Sequence, residues 1–229
     1  MSHAYALGRQ HAKLALFGDP HEQRNNAIKA LVATQGANMA AGVTSMLANR
    51  SGGLQPGEVA SAIGDYAQQM GVKGPINIQH VPQLVGNAGV RPFAEGSKHL
   101  LAHGSRPGEA LLAHELGHLR LHEALGPRVS GALLKLRHPA LTGLGLPAAA
   151  AWSGYQKDPT WAPGALTAGI TAPMLLDEAA ASAQAARALI RKKGLLRGLG
   201  HSAKLLPAFA SYAALGLGPL AITAYRKHQ

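Results

Sequence analysis

The sequence has 229 residues, of which 47% are hydrophobic and only 14% are charged. This composition excludes an intrinsically disordered chain and predicts a folded core. Cysteine is absent, which excludes disulfide bonds and thiolate metal sites, so a bound metal would need histidine and carboxylate ligands. The net charge is +11, and the excess lies in the second half: residues 1–119 contain nine Lys/Arg and seven Asp/Glu, whereas residues 120–229 contain thirteen and four.

The N-terminal region is predicted to be helical. Residues 2–17 and 22–48 are predicted helices separated by the breaker Gly-Asp-Pro, and a short amphipathic helix follows a loop at 50–58. Basic residues interrupt the first apolar stretch, and no small-residue cleavage site follows it. It therefore does not resemble a signal peptide, and we expect the mature chain to begin near Met1.

The middle of the chain changes character. Between residues 74 and 93, β-branched residues with Gly and Pro punctuation predict one or two short strands. Beyond the loop Gly-Ser-Arg-Pro-Gly, apolar residues recur at helical spacing. This spacing predicts a helix over roughly 107–125 that is ended by Gly126 and Pro127.

The second half alternates apolar and basic segments. Residues 139–156 and 159–176 are uncharged and predict a hydrophobic hairpin, followed by an alanine-rich helix over about 177–193. A basic stretch at 187–204 then leads to an uncharged run at 205–224. Because a bilayer-crossing helix needs about 20 predominantly apolar residues, the uncharged runs are candidate membrane spans. Their many alanines and glycines equally suit a helical core without a membrane.

The stretch His-Glu-Leu-Gly-His at 114–118 carries the strongest chemical signal. His114 and His118 are one helical turn apart, so both imidazoles can reach one metal ion, and Glu115 lies beside them within reach of a bound water. Zinc would acidify that water and polarise a carbonyl, while Glu115 would act as general base and then as general acid to the leaving amine. The alternative is a surface helix whose polar face happens to carry these residues and His122.

A catalytic zinc site also needs a third protein ligand and an open position for water. His122 continues the stripe, but eight residues of helix cover roughly 12 Å, so we expect it beside the site or exposed. Glu123 points away from the stripe and is expected to be a solvated charge. Asp177 could be a ligand, but the cap of the following helix is its expected role. Glu178, in the first turn of that helix, is the remaining candidate.

The order of these motifs resembles the gluzincin metallopeptidases, especially the membrane-associated group of the CAAX-prenyl endopeptidases and HtpX. The resemblance consists of His-Glu-x-x-His, a hydrophobic hairpin, and Glu-x-x-Ala-Ser about 60 residues later, and it covers residues 107 to about 190. It implies that Glu178 is the third zinc ligand, together with His114 and His118. Ser182 stands where those relatives have aspartate.

The same resemblance implies further parts of a peptidase site. An edge strand upstream of the active helix would pair with an extended substrate peptide, and residues 76–81 could supply it. The group that stabilises the oxyanion would be a His, Tyr or Arg. The candidates in this sequence are His103, His138 and Tyr155.

We therefore expect a mostly α (α+β) protein with a zincin-like pair of active helices, a small β element and hydrophobic helices that are candidate membrane spans. The expected organisation is a helical N-terminal region at 1–70, a metallopeptidase core at 71–194 with the hairpin at 139–176, and a basic linker with a hydrophobic helix at 195–229.

The leading functional prediction is a zinc-dependent endopeptidase that acts on polypeptides at a membrane. If the last apolar run spans the bilayer, the basic segment before it favours a cytoplasmic location for the site. The alternative is a virion structural or membrane-penetrating protein in which zinc is secondary, because the opening Ala-Tyr-Ala-Leu-Gly-Arg-Gln-His-Ala-Lys-Leu-Ala-Leu-Phe-Gly resembles small proteins of tailed bacteriophages.

Nucleic-acid binding is a third hypothesis. The stretch at 187–204 has six Lys/Arg and no acid, which could neutralise phosphates. It contains no aromatic residue to stack on bases. Bases beside apolar runs more commonly contact anionic lipid, so nucleic acid is the less favoured partner.

Overall fold

The computed structural model describes residues 19–50, 53–84, 87–96, 98–137, 144–156, 158 and 160–228. This part of the chain is mostly helical with one small mixed sheet, which confirms the expected mostly α class. The helix predicted over 2–17, the phage-like opening segment and His138 lie outside the described residues. The elements in chain order are α1 (Pro20–Arg50), α2 (Pro56–Met70), β1 (Ile76–His80), β2 (Ala88–Glu95), β3 (Lys98–His103), α3 (Glu109–Leu136), α4 (Leu146–Tyr155), α5 (Ala162–Lys193), α6 (Leu195–Ala203) and α7 (Leu206–Lys227).

Helix α3 has two parts that meet at a kink. Gly126 adopts φ 77° and interrupts the helix, and the chain becomes helical again from Pro127 to Leu136. Proline suits a first helical turn, because its missing N–H has no intrahelical acceptor there. The first part therefore ends at Gly126 as predicted, and the second part, residues 127–136, was not expected.

Helix α5 joins two segments that were predicted to be separate. It runs through Pro173 and past Asp177 and Glu178 without a break. The two acidic residues suggested a helix N-terminus, yet they lie in the middle of α5, where cationic groups described below compensate their charge. The prediction of a new helix starting at residue 177 was therefore wrong.

The sheet has three strands in the order β1-β3-β2. β1 pairs parallel to β3, with Ile76 opposite His99, and β2 pairs antiparallel to β3, with Val90 opposite Leu101. β3 was not expected, since Lys-His-Leu-Leu-Ala-His contains no β-branched residue. β1 lies at an edge of the described sheet, as expected for residues 76–81.

The chain divides into two compact units. The first comprises Met1–Asn38, His138–Thr171 and Ala213–Gln229, and the second comprises Met39–Arg137 and Ala172–Tyr212. Each is assembled from separated stretches of sequence.

The second unit has a hydrophobic core around the first half of α3. Leu112, Leu116 and Leu119 recur at helical spacing and are fully buried. They pack with apolar residues of α2, the sheet and α5: Val59, Ile63, Tyr66, Leu101, Ala185, Ala188 and Leu189. This apolar face thus packs α3 against both its helical neighbours and the sheet.

Small residues control close helix contacts in the first unit. A Cβ at Gly154 would lie 2.6 Å from the backbone oxygen of Asn26, so α4 contacts α1 closely there. A Cβ at Gly216 would lie 2.1 Å from the Thr171 hydroxyl, which marks a similar approach of α7 to α5. Arg226 donates to the carbonyls of Ser153 and Gly154 at the end of α4. Glycine and alanine therefore permit tight packing here.

None of the described helices combines the length and the apolar character that crossing a bilayer requires. This includes α7, which contains most of the 205–224 run. Alanine and glycine, which fill that run, contribute little to hydropathy.

Candidate metal centre

Helices α3 and α5 bring the predicted ligand residues together within the second unit. A Cβ at Gly117 would lie 2.5 Å from the backbone oxygen of Ala181, so the two helices touch with no side chain between them. His114 and His118 lie on α3 on either side of this contact along the chain, and Glu178 lies on α5. All three are buried. Glycine at position 117 is therefore what allows the carboxylate to reach the imidazoles.

The three ligand groups form a small triangle. The Nε2 atoms of His114 and His118 are 3.1 Å apart. Glu178 Oε2 lies 3.1 Å from His114 Nε2, and Glu178 Oε1 lies 3.5 Å from His118 Nε2. Ligand atoms about 2.0–2.1 Å from a tetrahedral zinc are separated by roughly 3.3 Å. The triangle therefore matches the spacing of three ligands around one zinc ion.

The opposite ring nitrogens have partners that orient both imidazoles. His114 Nδ1 lies 3.2 Å from the Ser182 hydroxyl, and His118 Nδ1 lies 3.3 Å from Asp177 Oδ1. A ring that donates through Nδ1–H presents a lone pair on Nε2, which is the form that binds a metal. Ser182, which departs from the aspartate of the gluzincin pattern, thus still occupies an orienting position.

Asp177 is not a helix cap. It lies inside α5, and its carboxylate contacts the Arg137 guanidinium as well as His118. Arg137 also lies 2.7 Å from Glu178 Oε1. The guanidinium bridges two neighbouring carboxylates, which fixes the orientation of both. Arg137 directly follows the part of α3 beyond the kink at Gly126. This part was not expected from the sequence, so Arg137 was missed.

The site has an excess of negative charge. Among the described residues, it contains the carboxylates of Glu115, Asp177 and Glu178 and one guanidinium, that of Arg137. With neutral histidines the sum is 1 − 3 = −2, which a divalent cation would balance. Buried charges that lack compensation are costly, so this arrangement favours a bound cation.

The pKa shifts follow from these contacts. Burial alone would raise the pKa of Asp177 and of Glu178, but hydrogen bonds from the neighbouring histidines and the charge of Arg137 lower both well below the usual range. Burial alone would lower the pKa of His118, but Asp177 and Glu178 outweigh it and raise the pKa to about 9. Without a metal, a proton on His118 therefore supplies part of the missing positive charge.

Glu115 has a different environment from the other two carboxylates. Burial, followed by a smaller contribution from the Glu178 charge, raises its pKa, although His118 and His114 partly oppose the shift. Its side chain makes no hydrogen bond to another described residue, and it is only partly shielded from solvent. A carboxylate with a raised pKa and free oxygens is suited to accept a proton from water.

Two residues near the site follow on the same helix. His122 lies beside the site, as one of its two expected positions required: it is buried, with Nε2 3.6 Å from Asp177 Oδ1. His118, His122 and Asp177 form a second group with metal-ligand spacing. Glu123 is not a solvated charge: it accepts hydrogen bonds from the backbone N–H groups of Lys73 and Gly74. It thereby attaches α3 to the segment that leads into β1.

The oxyanion candidates with a described structure are His103 and Tyr155. His103 is buried and bonds to the carbonyl of Gly104, and Tyr155 belongs to the first unit. Instead, Tyr212 lies close enough to the cluster for the charges of Glu178 and Arg137 to act on it. Burial, with a further contribution from Glu178, raises the pKa of Tyr212, so its phenol stays a hydrogen-bond donor. No sequence motif identifies Tyr212 as a site residue, because its place near the cluster depends on the packing of α7 and not on a local pattern.

No family model, curated protein or solved structure matches this chain. Functional conclusions therefore come from the geometry and chemistry of the site.

Proposed function

We propose that this protein is a zinc-dependent endopeptidase of gluzincin type, with His114, His118 and Glu178 as zinc ligands. The carrying observation is the triangle of ligand groups, each imidazole having a partner on its other nitrogen. Three nitrogen and oxygen ligands with space for water are typical of catalytic zinc sites, and the absence of cysteine fits that ligand set. The zincin-like helix pair of the proposal corresponds to α3 and α5.

In the proposed reaction, Glu115 removes a proton from the attacking water. Bound zinc would acidify that water and polarise the peptide carbonyl. Water oxygen bonds to the carbonyl carbon, Glu115 passes the proton to the amide nitrogen, and the C–N bond breaks to give a carboxylate and an amine. Tyr212 is the proposed hydrogen-bond donor to the carbonyl oxygen as its negative charge develops.

Arg137 has a positioning role in this scheme. Its guanidinium holds Glu178 and Asp177, and Asp177 in turn orients His118. The proposed substrate is an extended polypeptide that adds to the edge strand β1. Four of the five β1 residues are exposed, which leaves the strand accessible to a peptide.

The test compares Glu115→Gln with Glu109→Gln, a matched change six residues earlier on the same helix. An unfolded protein such as casein is the substrate. We expect Glu115→Gln to retain zinc but to lower the cleavage rate at least a thousandfold, because it removes the proton acceptor. Glu109→Gln should retain both zinc and activity. Equal cleavage by wild-type protein and zinc-loaded Glu115→Gln would contradict the proposal.

A membrane-surface location is part of the proposal, and α6 supports it. Leu195, Leu196 and Leu199 are exposed, and basic residues of the 187–204 stretch flank them. A helix with exposed leucines beside cationic groups is suited to an anionic lipid surface. Vesicle flotation of wild-type protein and Leu196→Glu tests this: we expect wild-type binding to anionic vesicles and loss of binding in the variant.

The alternative function, a virion or membrane-penetrating protein with a secondary zinc site, makes a different prediction. If the protein is a structural part of a virion, Glu115→Gln should leave the infectivity of the particle unchanged. If its endopeptidase activity serves the virion, the same variant should lower infectivity because cleavage is lost.

A further inference from the structure

The second unit also contains a cavity of about 320 Å³. The end of α2, the middle of α3 and the last three turns of α5 line it, and three arginines face it: Arg120, Arg187 and Arg191. Gln69 and Gln184 add amide groups to the lining. On α5 the polar lining residues recur at positions 184, 187 and 191, which places them on one helical face.

These arginines are not engaged by the protein itself. The cavity lining contains no acidic residue. Within the described part of the chain, none of the three guanidiniums makes a hydrogen bond or an ion pair with another residue, whereas the adjacent Lys192 and Lys193 both contact carboxylates. Three cationic groups around one cavity repel each other unless an anion is present. The two lysines belong to a structural ion-pair network, whereas the three arginines that line the cavity do not.

We propose that this cavity binds an anion with a phosphate group, either inorganic phosphate or a small phosphate monoester. Guanidinium groups donate two parallel hydrogen bonds to phosphate oxygens, and the two glutamines could donate further ones. A cavity of this volume lies at the small end of ligand sites, so it fits a phosphate group with a short organic portion better than a polymer. Met70 and Leu121 give the cavity an apolar wall for that portion.

This site is separate from the proposed metal centre. None of its lining residues is a proposed zinc ligand, and the metal-centre histidines do not line the cavity. The inference therefore does not depend on zinc binding or on peptidase activity. A single-stranded nucleic acid is a poorer fit, since the lining has no aromatic residue for base stacking.

Calorimetric titration of the full chain with inorganic phosphate and with glycerol 3-phosphate tests the proposal, at constant ionic strength. The variant Arg120→Gln/Arg187→Gln is compared with Arg91→Gln/Arg128→Gln, which removes the same charge from exposed positions outside the cavity. We expect at least tenfold weaker binding in the first variant and unchanged binding in the second. Circular dichroism and zinc content should be equal in both.

Three results would overturn the inference: no binding of either probe to wild-type protein, equal binding by the cavity variant, or equal weakening in both variants. Binding of a single-stranded oligonucleotide without binding of either probe would also overturn it.

A phosphate monoester could be soluble or part of a lipid headgroup, and vesicles separate the two sources. Vesicles with phosphatidic acid are compared with phosphatidylserine vesicles of equal surface charge. Preference for phosphatidic acid that disappears in the cavity variant would assign a lipid headgroup. Binding of soluble probes with no vesicle preference would assign a soluble ligand.

Discussion

Two clusters of charged groups connect α3 and α5, and they differ in charge balance. In the first, Glu109 accepts hydrogen bonds from Tyr66 at 2.7 Å and Lys193 at 2.6 Å, while Lys192 contacts Asp65 at 3.1 Å. Two carboxylates thus face two ammonium groups. In the second cluster, the proposed metal centre, three carboxylates face the single guanidinium of Arg137.

The comparison separates a structural role from a proposed catalytic one. The first cluster is complete as it stands, because each of its carboxylates already has a cationic partner. With neutral histidines the second has two more negative than positive charges, and it brings two imidazoles and a carboxylate within metal-ligand spacing. The same pair of helices therefore carries both a balanced network and one that we propose binds a cation.

Removing the metal should have the largest effect. We expect a chelator to lower the unfolding free energy of zinc-loaded protein by about 4 kcal/mol when free zinc is 1,000-fold above its Kd. Thermal unfolding with and without chelator measures this. A Glu178→Ala protein is the control and should show little chelator effect. An equal chelator effect in that variant would contradict the proposed ligand set.

The second-largest expected effect concerns the close contact between α3 and α5 at Gly117. Gly117→Val places a side chain where a Cβ already meets the Ala181 backbone at 2.5 Å, so we expect about 3 kcal/mol of destabilisation and loss of zinc. Gly131→Ala on the same helix is the control, since nothing lies within 4 Å of the added carbon. Chemical denaturation measures both. A stable Gly117→Val protein with full zinc content would show that the helix contact does not form the site.

The balanced cluster should respond to pH but not to metal. Burial alone would raise the pKa of Glu109, but hydrogen bonds from Lys193 and Tyr66 lower it. The contribution of a carboxylate with a lowered pKa is complete above its unfolded pKa of about 4.3 and is lost as pH falls through the folded value. Glu109→Gln should therefore cost about 2 kcal/mol at neutral pH, and the difference from wild type should shrink below about pH 4.

Denaturation of Glu109→Gln and wild type across this pH range checks the prediction. A stability difference that is unchanged at acid pH would mean that the ionised carboxylate is not what stabilises the cluster.

The smallest expected effect concerns Tyr212. Tyr212→Phe removes the proposed donor to the oxyanion, and we expect roughly a tenfold lower kcat with KM and zinc content unchanged. Steady-state kinetics on a peptide substrate measure it. Tyr225→Phe, at an exposed position in the first unit, is the matched control. Identical kinetics of the two variants would remove Tyr212 from the mechanism.

Local periodicity was enough to predict the contribution of α3 to the site. His114, Glu115 and His118 depend only on the helical repeat, and the structure has them on a helix. Glu178 could be selected from its motif order by resemblance. The close packing of α3 and α5 that brings these residues together depends on Gly117. The sequence shows that this residue is small, but it does not show that it contacts Ala181.

The missed features depend on contacts between distant residues. Arg137 lies beyond a glycine and a proline that usually end a helix, and only the continuation after the kink brings it to Asp177. Asp177 had the local pattern of a cap, because charge compensation by Arg137 and His118 is invisible in a local window. β3 was missed because it contains no β-branched residue. It forms a strand because it pairs with a neighbour on each side.

Zinc content of the purified protein tests the central claim most directly. Elemental analysis of wild type, Glu178→Ala and Glu109→Gln compares the two clusters by removing one carboxylate from each. We predict about one zinc per chain in wild type and Glu109→Gln, and strong depletion in Glu178→Ala. Folded wild-type protein that binds no zinc, or Glu178→Ala that keeps a full complement, would contradict the account.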